Sequence, residues 1–316
     1  MKKLIAMGEA LIDWIPQETG KGISDVEAFA PKVGGAPANV CAAYRLLGGE
    51  SAMITQLGED PFGDKIVNLL NDYNVGTQYI RRSHDANTSL AFVALREDGN
   101  REFSFYRKPG ADMLYKPEYL KEEWFKDSFA FHFCSVSLGD FPMKDAHKVA
   151  IDYAKAAGAL ISFDPNLRFN LWDSQDALKA AVSEFIPMAD VLKISDEELE
   201  FITGCTDIED ALENLFNQGV KMVIYTQGAD GASAYTRGNQ GHASGEKVKA
   251  VDTTGAGDSF IGAVLAYMSQ NGMDLSNIED TPSIKLEEML IFANHYSALS
   301  VQRPGAIPSY PKLEEL

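Results

Sequence analysis

The chain has 316 residues, 45% of them hydrophobic and 23% charged, enough to bury the core of one large α/β domain or two smaller ones. Its 28 Lys and Arg against 46 Asp and Glu leave a formal charge of −18, which excludes broad attraction to nucleic acid or an anionic membrane and leaves any anionic ligand to a local pocket. Three cysteines (Cys41, Cys134, Cys205) are too few and too scattered for a disulfide framework or a CxxC metal site, as suits a reducing cytoplasm. The N-terminal apolar run is broken by Glu9 and Asp13, unlike a signal peptide, and no stretch has the length of a membrane span.

In chain order, KLIAMGEAL predicts a strand ending near Asp13, and ANVCAAYRLLGG a helix closed by Gly48 and Gly49. SAMITQLG reads as a strand and DPFGDKIVNLLNDY as a helix. FAFHFCSVS, ALISFDPN, DVLKIS and MVIYTQG follow as strands, with helical patterns in most of the gaps. Apolar strands alternating with helices predict a doubly wound, mainly parallel sheet with helices on both faces. Ligands bind such sheets beyond the carboxyl ends of the strands, which draws attention to Asp13, Gly34, Gly35, Asp164, Ser195 and Thr226. One region breaks the pattern: residues 88–112 alternate with period 2 on either side of Glu97-Asp98-Gly99-Asn100, a hairpin signature. VEAFAPKVGG offers it another strand. A small β lid over the strand ends, a plain surface hairpin and a homodimer contact through its edges all fit this pattern.

VDTTGAGDSF carries the clearest chemistry. The backbone N–H groups of Gly255, Ala256 and Gly257, at a helix start, form an anion hole. No lysine-bearing phosphate loop and no dinucleotide fingerprint is present, so a metal ion bridging phosphates is the natural source of further positive charge. Asp258 beside that hole suits a base that takes the proton from an attacking hydroxyl; the simpler alternative is a helix cap. In GGAPANV, Gly34 and Gly35 allow close approach to a ligand, and Asn39 offers a donor and an acceptor to a sugar hydroxyl. Asp13 could accept from a polyol.

GGAPANV, FSFYRKPGADM, FDPNLR, KISDEEL, TQGADG and DTTGAGDSF, in this order, resemble the ribokinase-like (pfkB-type) carbohydrate kinase family, and within it fructokinases most. The resemblance covers essentially the whole chain. It implies a doubly wound α/β core (1–14, 34–86 and 111–316) with an inserted β lid (15–33 and 87–110), and transfer of the ATP γ-phosphoryl group, with Mg2+, to a sugar hydroxyl. Fructose, giving fructose 6-phosphate, is the expected acceptor; 2-keto-3-deoxygluconate is the nearest rival, and a binding-only regulator a reading from another class. By position, the resemblance makes Asp258 the base and 255–257 the anion hole, and gives Asp13, Gly34, Gly35, Asn39, Arg107 and Arg168 to the sugar and transferring group. Thr226, Gly228, Gly231, Gly257 and Asn294 fall to ATP. Glu198 falls on the magnesium side, although Ser195 stands where many members carry Asn, and Ser195-x-x-Glu198 is also a capping box. Asp252, Thr254, Arg303 and Gly305 surround an implied monovalent cation, K+.

Overall fold

The computed structural model describes residues 1–95 and 101–316, so the turn centred on Glu97-Asp98-Gly99-Asn100 lies outside the described residues. Thirteen strands are described: β1 (Lys3–Met7), β2 (Leu11–Pro16), β3 (Phe29–Gly34), β4 (Glu50–Gly58), β5 (Ile80–Ser83), β6 (Leu90–Leu95), β7 (Arg101–Tyr106), β8 (Ser128–Cys134), β9 (Leu160–Asp164), β10 (Val191–Ser195), β11 (Met222–Thr226), β12 (Gly231–Tyr235) and β13 (Gln240–Ser244). The helices are α1 (Ala36–Leu46), α2 (Pro61–Asp72), α3 (Pro142–Ala156), α4 (Gln175–Phe185), α5 (Asp196–Thr203), α6 (Ile208–Asn217), α7 (Ala256–Gln270) and α8 (Ser283–Ser300).

Nine strands form one sheet in the order β13-β12-β11-β10-β9-β8-β1-β4-β5. It is parallel from β5 to β11 and antiparallel at its β12–β13 edge. Alternation along the strands divides the core in two. Leu4 and Ala6 of β1 pack into one cluster with α1, α7 and α8, whereas Ile5 and Met7 join Phe131, Phe133 and Phe163 in the cluster beneath α3, α4 and α6. Helix α7 is apolar almost all round because it lies between α1 and α8 in that first cluster. Gly262 lets α1 approach: a Cβ there would stand 2.6 Å from that of Ala43.

The remaining four strands form a separate small sheet, β3-β2-β6-β7. It confirms that the 88–112 hairpin leaves the main sheet, and it corrects two details. KLIAMGEAL is not one strand: β1 stops at Met7, Gly8 turns at φ +149°, and Asp13 sits inside β2 of the small sheet. The strand at 29–34 therefore pairs with β2 and not with the hairpin, since β2 lies between them. Strands β5, β12 and β13 escape an apolar-run criterion because IRRS is polar and GASAY is built of small residues.

Candidate active site

The chain reverses direction across the sheet at β1, whose neighbours are β4 and β8, and the candidate residues collect beyond the carboxyl ends of β1, β9 and β10. At the start of α7, Gly255 is the N-cap with φ +74°, a left-handed conformation that a side chain would strain. A Cβ at Gly255 would also collide with the Tyr310 hydroxyl and Ala306. Tyr310 Oη donates to the Gly255 carbonyl at 2.9 Å, and Ser297 Oγ donates to that of Ala256 at 3.1 Å, so the turn is held from behind. The Ala256 N–H donates to the Thr253 carbonyl at 3.2 Å, and the N–H groups that follow it in the first turn have no partner within the helix, an arrangement that suits an anion.

Asp258 does not cap α7. Its carboxylate instead accepts from Asn39 Nδ2 of α1 at 2.8 Å and from Asn166 Nδ2 at 3.3 Å. Burial pushes its carboxyl above the usual range, while the Asn39 bond and the charges of Arg168 and Lys193 pull it back. Asn39 Oδ1 is buried with no hydrogen-bond partner among the described residues, an acceptor left for something else.

Gly34 packs against the Asp13 carboxylate so closely that a Cβ there would collide with it. Gly35 has φ +118°, and a Cβ there would meet the Glu9 carbonyl oxygen at 2.5 Å. Burial raises Asp13 to about 6, against the pull of Arg168. Arg168 is exposed on the loop after β9, donates to the Leu167 carbonyl at 3.1 Å, and acts electrostatically on both Asp13 and Asp258. Arg107 is placed differently. It is buried and spent on Asp112, which it meets through Nε at 3.0 Å and through Nη2, with Phe141 beneath its guanidinium at 5.4 Å.

Glu198 has both carboxylate oxygens occupied: Leu167 N donates to Oε1 at 2.7 Å, and Ser195 donates to Oε2 through N at 3.0 Å and Oγ at 2.9 Å. The capping box is thus real. Among the described residues no group of three or more His, Cys, Asp or Glu could hold a metal ion. Thr226 ends β11, followed by a turn in which Gly228 (φ +54°) and Gly231 (φ +114°) take glycine conformations. Asn294 Nδ2 donates to the carbonyls of Ala243 and Ser244 at 3.0 and 3.2 Å. Asp252 gathers the last loop, accepting from Thr254 at Oδ1 and from Gly305 N at Oδ2 (2.8 Å), whereas Arg303 pairs with Glu315. The structure thus joins Asp13, Gly34, Gly35, Asn39, Arg168 and the 255–258 turn, and ties Arg107, Glu198, Asn294 and Arg303 to partners within the protein.

Three participants carry no assignment from the sequence. Asn166 follows the β9 end and takes φ +45°. Lys193 forms a buried ion pair with Asp164, Nζ to Oδ2 2.9 Å. Glu9 lies under the Gly34–Gly35 turn, accepting from Ser137 Oγ at 3.1 Å and Ala36 N at 3.4 Å, and burial raises it to about 7. The available signal is a charged or amide residue at the end of, or inside, an otherwise apolar strand.

Comparison with known proteins agrees with this geometry. Residues 1–313 match the pfkB family carbohydrate kinase model. The chain is 41% identical over 314 residues to a probable fructokinase-7 of Arabidopsis thaliana, covering 98% of this chain and 90% of that protein. A fructokinase from Xylella fastidiosa with bound ATP superposes with a TM-score of 0.89 at 35% identity, over 99% of this chain and 96% of that one. A double-mutant fructokinase from Vibrio cholerae O395, holding fructose, ADP and potassium ion, does so at 0.83 and 34%, over 98% and 96%. A match across nearly the whole chain, on a fold whose glycine-capped helix start lies beside a buried carboxylate, shows that the chain belongs to the pfkB family of carbohydrate kinases and is an ATP-dependent sugar kinase.

Proposed function

We propose that the chain transfers the γ-phosphoryl group of ATP to the 6-hydroxyl of fructose, with Asp258 as the base. The observation that carries this reading is the Asp258 carboxylate: it is buried, oriented by Asn39 and Asn166, and placed on the first turn of the helix whose N–H groups can hold the phosphoryl oxygens. Burial raises its pKa, which makes the carboxylate a stronger acceptor for a hydroxyl proton than an exposed one, while Asn39, Arg168 and Lys193 favour its charged form. Asp13 and the unpartnered Asn39 Oδ1 offer acceptors to sugar hydroxyls, and the small sheet β3-β2-β6-β7, which takes in Leu11–Pro16, would act as the lid that excludes water. ATP would lie along the 255–257 turn towards Thr226, Gly228, Gly231 and Asn294.

A magnesium ion would neutralise charge on the phosphate oxygens. The donor set fits a magnesium that keeps its waters, since the Glu198 oxygens are already engaged and no all-protein cage exists among the described residues. The 252–254 and 303–305 segments, drawn together by Asp252, suit a potassium ion held by backbone carbonyls. All three cysteines are free, in keeping with a reducing cytoplasm.

A second reading, phosphorylation of 2-keto-3-deoxygluconate, is favoured by Arg168 alone: an exposed guanidinium near Asp13 and Asp258 could meet a sugar-acid carboxylate. Arg107 does not serve that purpose while it is paired with Asp112. ADP release measured with fructose, ribose, 2-keto-3-deoxygluconate, fructose 6-phosphate and adenosine, with magnesium and with or without potassium, separates the readings. A kcat/KM highest for fructose is expected, and a higher value for the keto-acid would replace this proposal with the second reading.

A further inference from the structure

Sugar-kinase chemistry gathers negative charge at the transferring phosphoryl group, yet the 255–257 turn carries no lysine. The neighbouring strand supplies one. Lys193 interrupts the apolar run VLKIS of β10, and its side chain is only 7% exposed. A buried lysine is costly unless something compensates its charge. Burial disfavours the ammonium here, but Asp164, Glu198 and Asp258 together outweigh it and hold Lys193 protonated well above its ordinary range. A cation kept only to satisfy Asp164 would close that carboxylate off, yet Asp164 Oδ1 is buried with no partner among the described residues. The ammonium also abuts the turn itself: an ideal Cβ on Gly257 would lie 3.7 Å from Nζ.

We propose that Lys193 is a positioning residue for phosphoryl transfer, its ammonium lodged against Gly257 as the fixed positive charge behind the anion-binding turn. The inference rests on the reading of 255–258 as that turn and its base. Charges acting on this neighbourhood are Asp164 from β9, Glu198 from α5, Asp258 from α7 and the Arg168 guanidinium after β9. Of the two cations, Arg168 is exposed and screened by solvent, whereas Lys193 acts through the low-dielectric interior. Its charge stays in place throughout the reaction and needs no reorganisation when phosphoryl charge develops.

The test uses the full-length protein, MgATP and the sugar of the panel that the wild type phosphorylates. Lys193→Met is expected to lower kcat about 100-fold, the scale of one lost electrostatic donor, with the KM values for sugar and ATP changed less than about threefold, because uniform binding is untouched. Lys193→Arg should recover about tenfold of that loss. The double variant Asp164→Asn/Lys193→Met removes the ion pair as a unit and is expected to restore the melting temperature without restoring kcat. A kcat within about threefold of wild type in Lys193→Met, or recovered in the double variant, assigns the pair to structure alone and overturns the proposal. Asp258→Asn in the same series separates the two levels: retained turnover there overturns the site reading, and with it this inference, whatever Lys193 does.

Discussion

Asp258→Asn is the sharpest perturbation of the site because it changes charge and almost nothing else. The amide keeps the side-chain volume and one oxygen, so Asn39 Nδ2, now 2.8 Å from the carboxylate, retains an acceptor across the α1–α7 contact. The basic oxygen is lost. A positioned general base contributes ~10²–10⁴-fold, about 3–5 kcal/mol of barrier, and kcat should fall by that factor. The contacts expected to hold sugar and ATP, from Asp13, Asn39 and the 255–257 turn, remain, so both KM values should stay within about threefold of wild type. Stability should move the other way. Burial holds the Asp258 carboxyl above its usual range, so the ionised form is less favourable in the fold than in the unfolded chain at neutral pH. Removing that charge should raise the melting temperature. Coupled measurement of ADP release and scanning calorimetry on one preparation read both effects. A kcat within tenfold of wild type would refute the base assignment, and a lowered melting temperature would refute the electrostatic account of why the carboxylate is strained.

Gly34→Ala should raise the KM for sugar at least about tenfold with little change in the KM for ATP, because its Cβ must displace the Asp13 carboxylate; equal KM values would remove Asp13 from the sugar site. Asn166→Gly and Asn166→Ala both delete the donor to Asp258 and should each lower kcat about fivefold, from a bond worth about 1 kcal/mol. Alanine should cost a further ~1 kcal/mol in denaturant unfolding because residue 166 sits at φ +45°; indistinguishable midpoints would contradict this. Glu9 is raised from an ordinary 4.5 to about 7 by burial, so between those values the native protein binds more protons than the unfolded chain and this group's contribution falls as pH rises. Buried His132 and His147, lowered to about 3 and about 4, act in the opposite direction. The informative quantity is therefore the stability of Glu9→Gln relative to wild type, which should increase by about 1 kcal/mol from pH 6 to pH 8; a constant difference would show that Glu9 does not titrate there.

Most of the main sheet is legible in the sequence because its strands are buried on both faces and so appear as unbroken apolar runs, FAFHFC and MVIYT among them. The elements that escape are those for which burial and composition part company. Strand β5 lies at a polar edge, and β12 and β13 pack small residues against α8. The break at Gly8 is hidden because Gly-Glu-Ala sits between two apolar runs, and only its φ of +149° separates β1 from β2. At the site, the glycine turn and Asp258 are visible as a local string. Asn166 and Lys193 are not, because each acts on a residue more than sixty positions away, and only the parallel strand order β9–β10 brings their ends to the same edge. Arg107 shows the converse: an arginine at a strand end looks available for an anion until Asp112, five residues on, is seen to occupy it.

The break at Gly8 also has a functional consequence. It places Asp13 in the small sheet and not the main one, so the carboxylate expected to face the sugar is carried by the small sheet and the carboxylate expected to take its proton by helix α7 of the core. The Arg168 charge acts on both. The half-buried Asp13 and the buried Asp258 both have raised pKa values, so full ionisation of the pair is disfavoured, and a shared guanidinium relieves both only while the small sheet stays close to the core. A sugar that donates hydroxyl hydrogens to Asp13 and presents another to Asp258 does the same work from within the cleft. On the proposed reading, the acceptor would be the ligand whose binding most favours approach of the small sheet, which would tie that approach to a hydroxyl being in place before phosphoryl transfer begins.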